Sequence, residues 1–209
     1  MADWLDIDKT NELLADKTPQ EIIQWAIEQN TNTLLSTTFG PFTSVIIDMA
    51  TKIKSDIPVL WVDSGYNTKD TYQTAQQVID DYKLNIQVYT PEISAARRDA
   101  IMNGIPAPDD ELHEEFTRQV KLEPFQRAFA ELKPDIWING MRKEETEFRK
   151  SQNIITETAA GVVKVAPLFN WTELDLEEYL YENELPQVED YFDPTKAFEN
   201  RECGLHTKF

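Results

Sequence analysis

Short apolar segments alternate with amphipathic helical segments along this chain, and this alternation constrains the fold more than any other feature. The segments typical of buried strands are "NTLLSTTF", "PVLWVD", "NIQVYT", "DIWING" and "GVVKVAP". Helical patterns such as "TSVIIDMATKI" and "TKDTYQTAQQVIDDY" separate the first three. Two neighbouring parallel strands need a long connection between them, usually a helix. Strands that are separated by helices are therefore typical of a parallel sheet. The alternation therefore predicts an α/β fold with a mostly parallel sheet and helices on both faces.

Local signals place the remaining helices. In "DKTPQEIIQWAIEQN", Thr18 is a candidate N-cap, Pro19 takes the first helical position and Glu21 completes a capping box. This pattern predicts a helix to about Gln29, with another short helix before it. Helical segments are predicted over about 93–132, interrupted near "NGIPAPDD", with His113 on the helix surface. The last helix, "TELDLEEYLYEN", is predicted to bury Leu174, Leu176, Tyr179 and Leu180.

Length and charge limit the classes of protein. A chain of 209 residues suits one domain, which we expect over residues 1–192, followed by a mobile C-terminal tail over 193–209. The formal net charge of −18 argues against general affinity for nucleic acids or anionic membranes. No apolar run is long enough to span a bilayer, and the acidic N-terminus does not resemble a signal peptide. We therefore expect a cytoplasmic protein.

The only cysteine, Cys203, lies in the C-terminal stretch "RECGLHTKF". One cysteine excludes an intramolecular disulfide and any four-cysteine zinc or iron–sulfur site within one chain. Arg201 and His206 are close in sequence, and nearby cations favour the reactive thiolate. Most lone cysteines are buried and inert. A thiol near the chain end is instead suited to meeting two partners in turn.

Polar loops follow three of the predicted strands, where parallel α/β sheets bind ligands. In "STTFGPFTS" a glycine turn precedes a helix start, which together with the hydroxyl groups forms a candidate anion cradle. An ordinary capped turn is the alternative. The candidate residues of this loop are Ser36, Thr37, Thr38 and Gly40.

The second loop, "DSGYN", places Asp63 and Gly65 after the next strand. These two residues either face a nucleotide or form a turn capped by the aspartate.

Basic residues follow the fourth predicted strand in "NGMRKEETEFRK". In so acidic a protein, Arg142 and Arg149 at a strand end favour an anion site, although local pairing with the neighbouring glutamates is the alternative. Further basic candidates, each with surface ion pairing as the alternative, are Arg97, Arg98, Arg118 and Lys121.

Six segments in order resemble the phosphoadenylyl-sulfate (PAPS) reductase family. "STTFG" is similar to its modified pyrophosphatase-type loop, and "ECGLH" is similar to its terminal signature. The other matching segments are "IPVLWVDSGYNTKDTY", "VKLEPF", "WINGMRKEETEFR" and "VAPLFNW". The resemblance implies an adenine-nucleotide alpha-hydrolase-like (PP-loop) fold and a homodimer.

The resemblance also implies a reaction. The Cys203 thiolate would attack the sulfonyl sulfur of PAPS and expel adenosine 3′,5′-bisphosphate, leaving an S-sulfonate. Reduced thioredoxin or glutaredoxin would then release sulfite. By resemblance, the phosphosulfate would be held by Ser36, Thr37, Thr38 and Gly40. The adenosine would lie near Asp63 and Gly65, and His206 would lie beside the thiol. The expected contacts to the substrate's anionic groups are Lys121, Arg142, Arg149 and Arg201.

Two departures from the family pattern shape this hypothesis. The cysteines of cluster-bearing relatives are missing here, which resembles the cluster-free branch that uses PAPS. A cluster-free adenylyl-sulfate (APS) reductase is the runner-up. The segment before the signature, "PQVEDYFDPTKAFENR", is short, which leaves open a nucleotide-binding homologue without reductase activity. ATP-dependent adenylation is disfavoured because the loop "STTFGPF" lacks the glycine-rich Ser-Gly-Gly form.

Overall fold

The structure, a computed structural model, describes residues 4–196. Its helices are α1 (Ile7–Leu14), α2 (Pro19–Glu28), α3 (Thr43–Ile53), α4 (Lys69–Tyr82), α5 (Ala95–Met102), α6 (His113–Thr117), α7 (Glu123–Leu132), α8 (Glu147–Lys150) and α9 (Glu173–Glu182). A π-helical stretch, Arg118–Leu122, joins α6 to α7. The strands are β1 (Thr33–Thr37), β2 (Pro58–Val62), β3 (Asn85–Tyr89), β4 (Ile136–Ile138), β5 (Ile155–Glu157) and β6 (Val163–Val165). Over this part of the chain, the helices are too short or too polar to cross a membrane.

The strands form one six-stranded sheet in the order β3-β2-β1-β4-β6-β5. Strand β1 pairs in parallel with β2 on one side and with β4 on the other, so that Leu35 lies opposite both Val59 and Ile138. Only β5 runs antiparallel, and it pairs with β6. The prediction of a mostly parallel sheet is confirmed. Strand β5 was not predicted, because only its first residue, Ile155, is apolar and buried, so it lacks the apolar run that marked β4 and β6.

Side chains that alternate along the central strands bury against helices on both faces of the sheet. On one face, Leu35, Val59 and Ile138 belong to a large buried cluster that includes residues of α2, α3 and α9. On the other face, Leu34 and Trp137 pack with residues of α7. The predicted placement of helices on both faces is confirmed, and the central strands are shielded from water on both sides.

The start of α2 follows the predicted capping chemistry. The Thr18 hydroxyl accepts a hydrogen bond from the Glu21 amide at 3.2 Å, and the Glu21 carboxylate accepts one from the Thr18 amide at 2.8 Å. Pro19 occupies the first helical position. The short preceding helix is also present as α1. These elements were predictable because a capping box depends on residues only three positions apart in the sequence.

The prediction that Leu174 is buried is wrong, since its side chain is 62% exposed. Leu176 and Leu180, four residues apart, set the buried side of α9. Leu174 lies about 200° around the helix from Leu176, so it faces solvent.

The prediction that His113 lies on the helix surface is also wrong. His113 is only 3% exposed, and its Nδ1 atom lies 2.9 Å from the Pro106 carbonyl oxygen. The ring packs near Phe116 in the following turn. The loop between α5 and α6 folds over the start of α6, and helical periodicity cannot reveal a contact made by a loop.

Candidate active site

A cavity of about 220 Å³ lies at the carboxyl ends of β1 and β4. From β1 the chain builds the sheet outward through β2 and β3, and it then returns to place β4 on the opposite side of β1. The loops after β1 and β4 therefore diverge and leave a crevice between them, which is the usual ligand site of an open α/β sheet. Two of the polar loops singled out in the sequence line this crevice.

The cavity brings together most of the predicted site residues. Those that line it are Ser36, Thr37, Thr38, Gly40, Lys121, Arg142 and Arg149. Asp63 and Gly65 do not line it. Arg201, Cys203 and His206 lie outside the described residues.

The loop after β1 turns sharply into α3. Phe39 takes a left-handed conformation with φ of 47°, and its amide donates to the Thr37 hydroxyl at 2.9 Å. The Phe39 ring is buried edge-on against Trp61 with 4.9 Å between centroids, which helps to hold this unusual backbone. Helix α3 then starts at Thr43 on the cavity wall, and within the described residues no side chain caps it. The amides of Thr43 and Val45 donate to backbone carbonyls of the preceding turn, so α3 favours an anion in the cavity mainly through the positive end of its dipole.

Lys121 reaches the cavity from the π-helical stretch between α6 and α7. The side chain is nearly buried, and its ammonium group donates to the Asp193 carboxylate at 2.6 Å and to the Thr195 hydroxyl at 3.2 Å. Burial alone would raise the pKa of Asp193, but the charge and hydrogen bond of Lys121 outweigh it. Together with hydrogen bonds from Thr195 they lower the pKa of Asp193 to about 2. Asp193 is therefore ionised at neutral pH.

Arg142 and Arg149 approach from the segment after β4. Both side chains are at least nine-tenths buried, and they pair with the Glu144 and Glu145 carboxylates respectively. The Arg142 guanidinium also lies 5.7 Å from the centre of the Phe42 ring on the opposite cavity wall. The arginines thus satisfy both interpretations of the sequence, because they pair locally and also line the cavity.

The cavity is locally basic in an acidic protein. Among the described residues, four basic and two acidic side chains line it: Lys121, Arg142, Arg149 and Lys196, with Glu145 and Asp193. The chain as a whole carries a net charge of −18. Because the basic side chains outnumber the acidic ones in its lining, the cavity favours an anionic ligand.

Comparison with known proteins decides the family. Residues 32–194 match the family model of the phosphoadenosine phosphosulfate reductase domain. The chain belongs to this reductase family. A phosphoadenosine 5′-phosphosulfate reductase from Synechococcus is 33% identical, and the alignment covers 94% of this chain and 95% of that protein. Another from Vibrio cholerae is 34% identical over 87% of this chain and 72% of its own length.

Solved structures agree with the family. A phosphoadenylyl-sulfate reductase from Candida auris, determined as a phosphate complex, has a TM-score of 0.75 and 28% identity, with 88% of each chain covered. An FMN adenylyltransferase from Candida glabrata has a TM-score of 0.61 at 13% identity, covering 90% of this chain and 61% of that one. The second likeness concerns the fold alone. Together they confirm the predicted adenine-nucleotide alpha-hydrolase-like (PP-loop) fold.

In this member of the reductase family, the Asp63 carboxylate organises the turn after β2. Its Oδ1 atom accepts hydrogen bonds from the Gly65 amide at 2.9 Å, Asn67 Nδ2 at 3.0 Å and the Tyr72 hydroxyl at 2.7 Å. Burial, and then the hydrogen bond to Asp63, raise the pKa of Tyr72 to about 12. Gly65 has φ of +81°, a backbone conformation that favours glycine. These contacts match the capped-turn alternative, and the predicted role near the adenosine stays a prediction.

The other basic candidates lie away from the cavity. Arg98 is fully buried and donates to the Ile93 carbonyl and to Gln119 at 3.0 Å each. Arg118 forms an exposed ion pair with Glu115 at 2.6 Å, as the alternative interpretation predicted. Arg97 does not line the cavity either. All four residues belong to the same predicted helical region, but only Lys121 lies on the side of it that lines the cavity.

Sequence reasoning missed several polar residues of the cavity wall, among them Asn139 and Asp193. Asn139 directly follows β4 and is buried, and Asp193 holds Lys121 from 72 residues further along the chain. The position of Asn139 at a strand end was a usable signal. Asp193 carried no signal, since nothing in the sequence links it to Lys121. At the start of the predicted tail, Thr195 is buried and the Asp193 side chain is 9% exposed.

Proposed function

We propose that this chain reduces PAPS to sulfite and adenosine 3′,5′-bisphosphate through an S-sulfonate on Cys203. The observation that carries the proposal is the convergence of Lys121, Arg142 and Arg149 on one cavity at the switch point of the sheet. PAPS carries a 3′-phosphate and a 5′-phosphosulfate, so it demands several cations in one place. The names of the relatives and of the Candida auris structure support the same substrate.

The chemistry begins with a displacement at sulfur. The Cys203 thiolate attacks the sulfonyl sulfur, an S–S bond forms, and the bond from that sulfur to the bridging oxygen breaks. The electron pair leaves on the 5′-phosphate of adenosine 3′,5′-bisphosphate. Lys121, Arg142 and the positive end of the α3 dipole stabilise the charge that develops on this phosphate. Arg201 and His206 flank the thiol in sequence and favour its ionised form.

A dithiol protein completes the reaction. A thiolate of reduced thioredoxin or glutaredoxin attacks the Cys203 sulfur, and sulfite departs with the electron pair of the S–S bond. The second thiol of the donor then resolves the mixed disulfide, which regenerates Cys203 and leaves the donor oxidised. We propose that no iron–sulfur cluster takes part, because the chain has a single cysteine and cannot supply four thiolate ligands. A homodimer is proposed on family grounds.

Chain length is compatible with this role for Cys203. Lys196 lines the cavity, and Cys203 follows it in the sequence. Seven residues in extended form reach at most about 25 Å. The thiol can therefore reach a nucleotide in the cavity and also a protein outside it, as the two-step reaction requires.

Intact mass spectrometry tests the proposal. The purified protein is incubated with PAPS or with APS, without reductant, and we expect a sulfonate adduct on Cys203 with PAPS. Reduced thioredoxin should then release sulfite. An adduct formed preferentially with APS would make the chain an APS reductase. Nucleotide binding without any adduct would make it a binding homologue.

A Cys203→Ser variant is the matched control. It should bind PAPS with unchanged affinity and release no sulfite, because only the nucleophile is removed. Substantial residual sulfite release by this variant would contradict the covalent mechanism.

A further inference from the structure

Asn139 has an unusual hydrogen-bonding state for a buried side chain. It is 3% exposed, lines the cavity and follows the last residue of β4. Its Oδ1 atom accepts a hydrogen bond from the Met141 amide at 3.0 Å. A backbone amide can only donate, so the oxygen must face it and the NH₂ group must point the other way. Among the described residues, that nitrogen is buried without a hydrogen-bond partner.

An unpartnered amide nitrogen is costly in a folded protein. Buried polar groups are nearly always hydrogen-bonded, and exceptions often mark places where a ligand or water completes the set. The bond to Met141 fixes the side chain, so the nitrogen cannot turn to find another partner without losing that bond. The two donor hydrogens of Asn139 are therefore held in place for an acceptor that the described chain does not provide.

The location of Asn139 identifies the part of the cavity it serves. In the parallel pairing of β1 with β4, Leu34 lies opposite Trp137 and Leu35 lies opposite Ile138. The next positions along the two strands are Ser36 and Asn139, which therefore share one face at the same edge of the sheet. Asn139 thus stands beside the loop after β1, the predicted phosphosulfate cradle.

Ser36 is oriented in a matching way. Its hydroxyl oxygen accepts a hydrogen bond from Trp137 Nε1 at 2.7 Å, which leaves its own hydrogen available for donation. Ser36 and Asn139 are thus two neutral donors, each fixed by a second hydrogen bond, on adjacent strand ends. Neutral donors add direction to a site whose positive charge comes from Lys121, Arg142 and Arg149.

We infer that Asn139 is a substrate-binding residue whose side-chain amide donates to an oxygen of the 5′-phosphosulfate. This inference rests on the proposed function, since PAPS is the ligand that brings the phosphosulfate. An acceptor-rich anion satisfies both donor hydrogens of the amide, whereas an apolar group would leave them unpaired. An oxygen of PAPS therefore pairs donor hydrogens for which the described chain provides no acceptor.

The test measures ligand affinity in a Cys203→Ser background, so that PAPS is not consumed. Asn139→Asp keeps the oxygen that faces Met141 and replaces the donor nitrogen by an acceptor with negative charge. We expect the affinity for PAPS to fall by about thirtyfold or more, as for a lost hydrogen bond to a charged group with added repulsion. The affinity for adenosine 3′-phosphate, which lacks the 5′ group, should change by less than about twofold because this contact is absent.

Two further variants separate binding from folding. Asn139→Ser supplies a hydroxyl that can accept from Met141 and donate its hydrogen, so we expect a loss of less than about tenfold. Asn170→Asp makes the same charge change at an exposed asparagine that does not line the cavity and should leave PAPS affinity within about twofold. Thermal unfolding without ligand checks that each variant is folded. If Asn139→Asp does not fold, the PAPS affinity of Asn139→Ser is used in its place.

Equal losses for PAPS and adenosine 3′-phosphate, or a PAPS affinity unchanged in Asn139→Asp, would overturn the inference. These outcomes are distinct from failure of the proposed function, which is the absence of a Cys203 adduct in the parent protein. A selective loss of PAPS affinity without an adduct would support Asn139 as a ligand of the phosphosulfate while refuting the reductase activity.

Discussion

At the residue scale, each buried cation of the cavity is held by a carboxylate of the chain itself. Asp193 holds Lys121, Glu144 holds Arg142 and Glu145 holds Arg149. These pairs lower the cost of burying positive charge, and an incoming anion must compete with them. The site therefore has the charge needed for a polyanionic nucleotide without an unpaired buried cation in its absence.

The Asp193 pair has a defined dependence on pH. The pKa of this carboxyl is about 2 in the folded chain, below the value of about 3.9 that an aspartate has in an unfolded chain. The contribution of this ion pair to the free energy of unfolding is therefore present above about pH 4 and is lost as the pH falls toward about 2. We expect Asp193→Asn to lower the free energy of unfolding on the order of 2 kcal/mol at pH 6 and by much less at pH 2.5. Urea unfolding at both pH values measures the difference in stability between the parent protein and the variant. A difference that is the same at both pH values would contradict this prediction.

Arg142 provides a prediction on binding. Its guanidinium is buried on the cavity wall, so Arg142→Ala should weaken PAPS affinity by about tenfold or more, the usual effect of losing a charged hydrogen-bond donor. Arg118→Ala is the control, because Arg118 pairs with Glu115 on the surface and does not line the cavity. Calorimetric titration distinguishes them, and equal affinities in the two variants would exclude Arg142 from the site.

At the scale of elements, a buried carboxylate ties three helices together. Asp48 on α3 is 3% exposed and accepts hydrogen bonds from Tyr82 of α4 at 3.0 Å and Tyr179 of α9 at 2.7 Å. Burial, followed by the hydrogen bond to Asp48, raises the pKa of both tyrosines. Lys52 supplies the countercharge at 2.7 Å. Because α3 begins at the cavity wall, this network steadies the helix whose N-terminus faces the candidate ligand.

Tyr179→Phe tests this network. The change leaves a buried carboxylate short of one donor, so the free energy of unfolding should fall by about 1–3 kcal/mol. Tyr181→Phe is the matched control on the same helix, since Tyr181 is 86% exposed, and it should stay within about 0.5 kcal/mol. Urea unfolding measures both variants. Equal stabilities would show that the bond from Tyr179 contributes nothing.

At the scale of the whole molecule, the local and overall charges oppose each other. A basic cavity lies in a chain of net charge −18, so self-repulsion weakens the compact state. Added salt screens this repulsion over distances longer than about 10 Å at 0.1 M. We therefore expect the free energy of unfolding to rise between 0.01 M and 0.3 M sodium chloride, measured by urea unfolding. A fall over this range would show that screened ion pairs outweigh the repulsion.

The sequence by itself determined the architecture. Strand length, helical periodicity and caps such as Thr18 and Glu21 act over a few residues, and they were sufficient to predict the parallel sheet, most of its helices and the loops at the strand ends. The family followed from motifs in order along the chain. The short strand β5 and the burial of His113 were not predicted, because neither produces a local periodic pattern in the sequence.

The tertiary structure alone decided how the cavity residues are paired. Lys121 and Asp193 meet across 72 residues, and Ser36 meets Trp137 across 101. The unpaired nitrogen of Asn139 is visible only once every neighbour is in place. The physical reason is that burial and hydrogen bonding between distant segments depend on how helices and loops pack on the sheet, whereas local sequence patterns specify only the elements that pack.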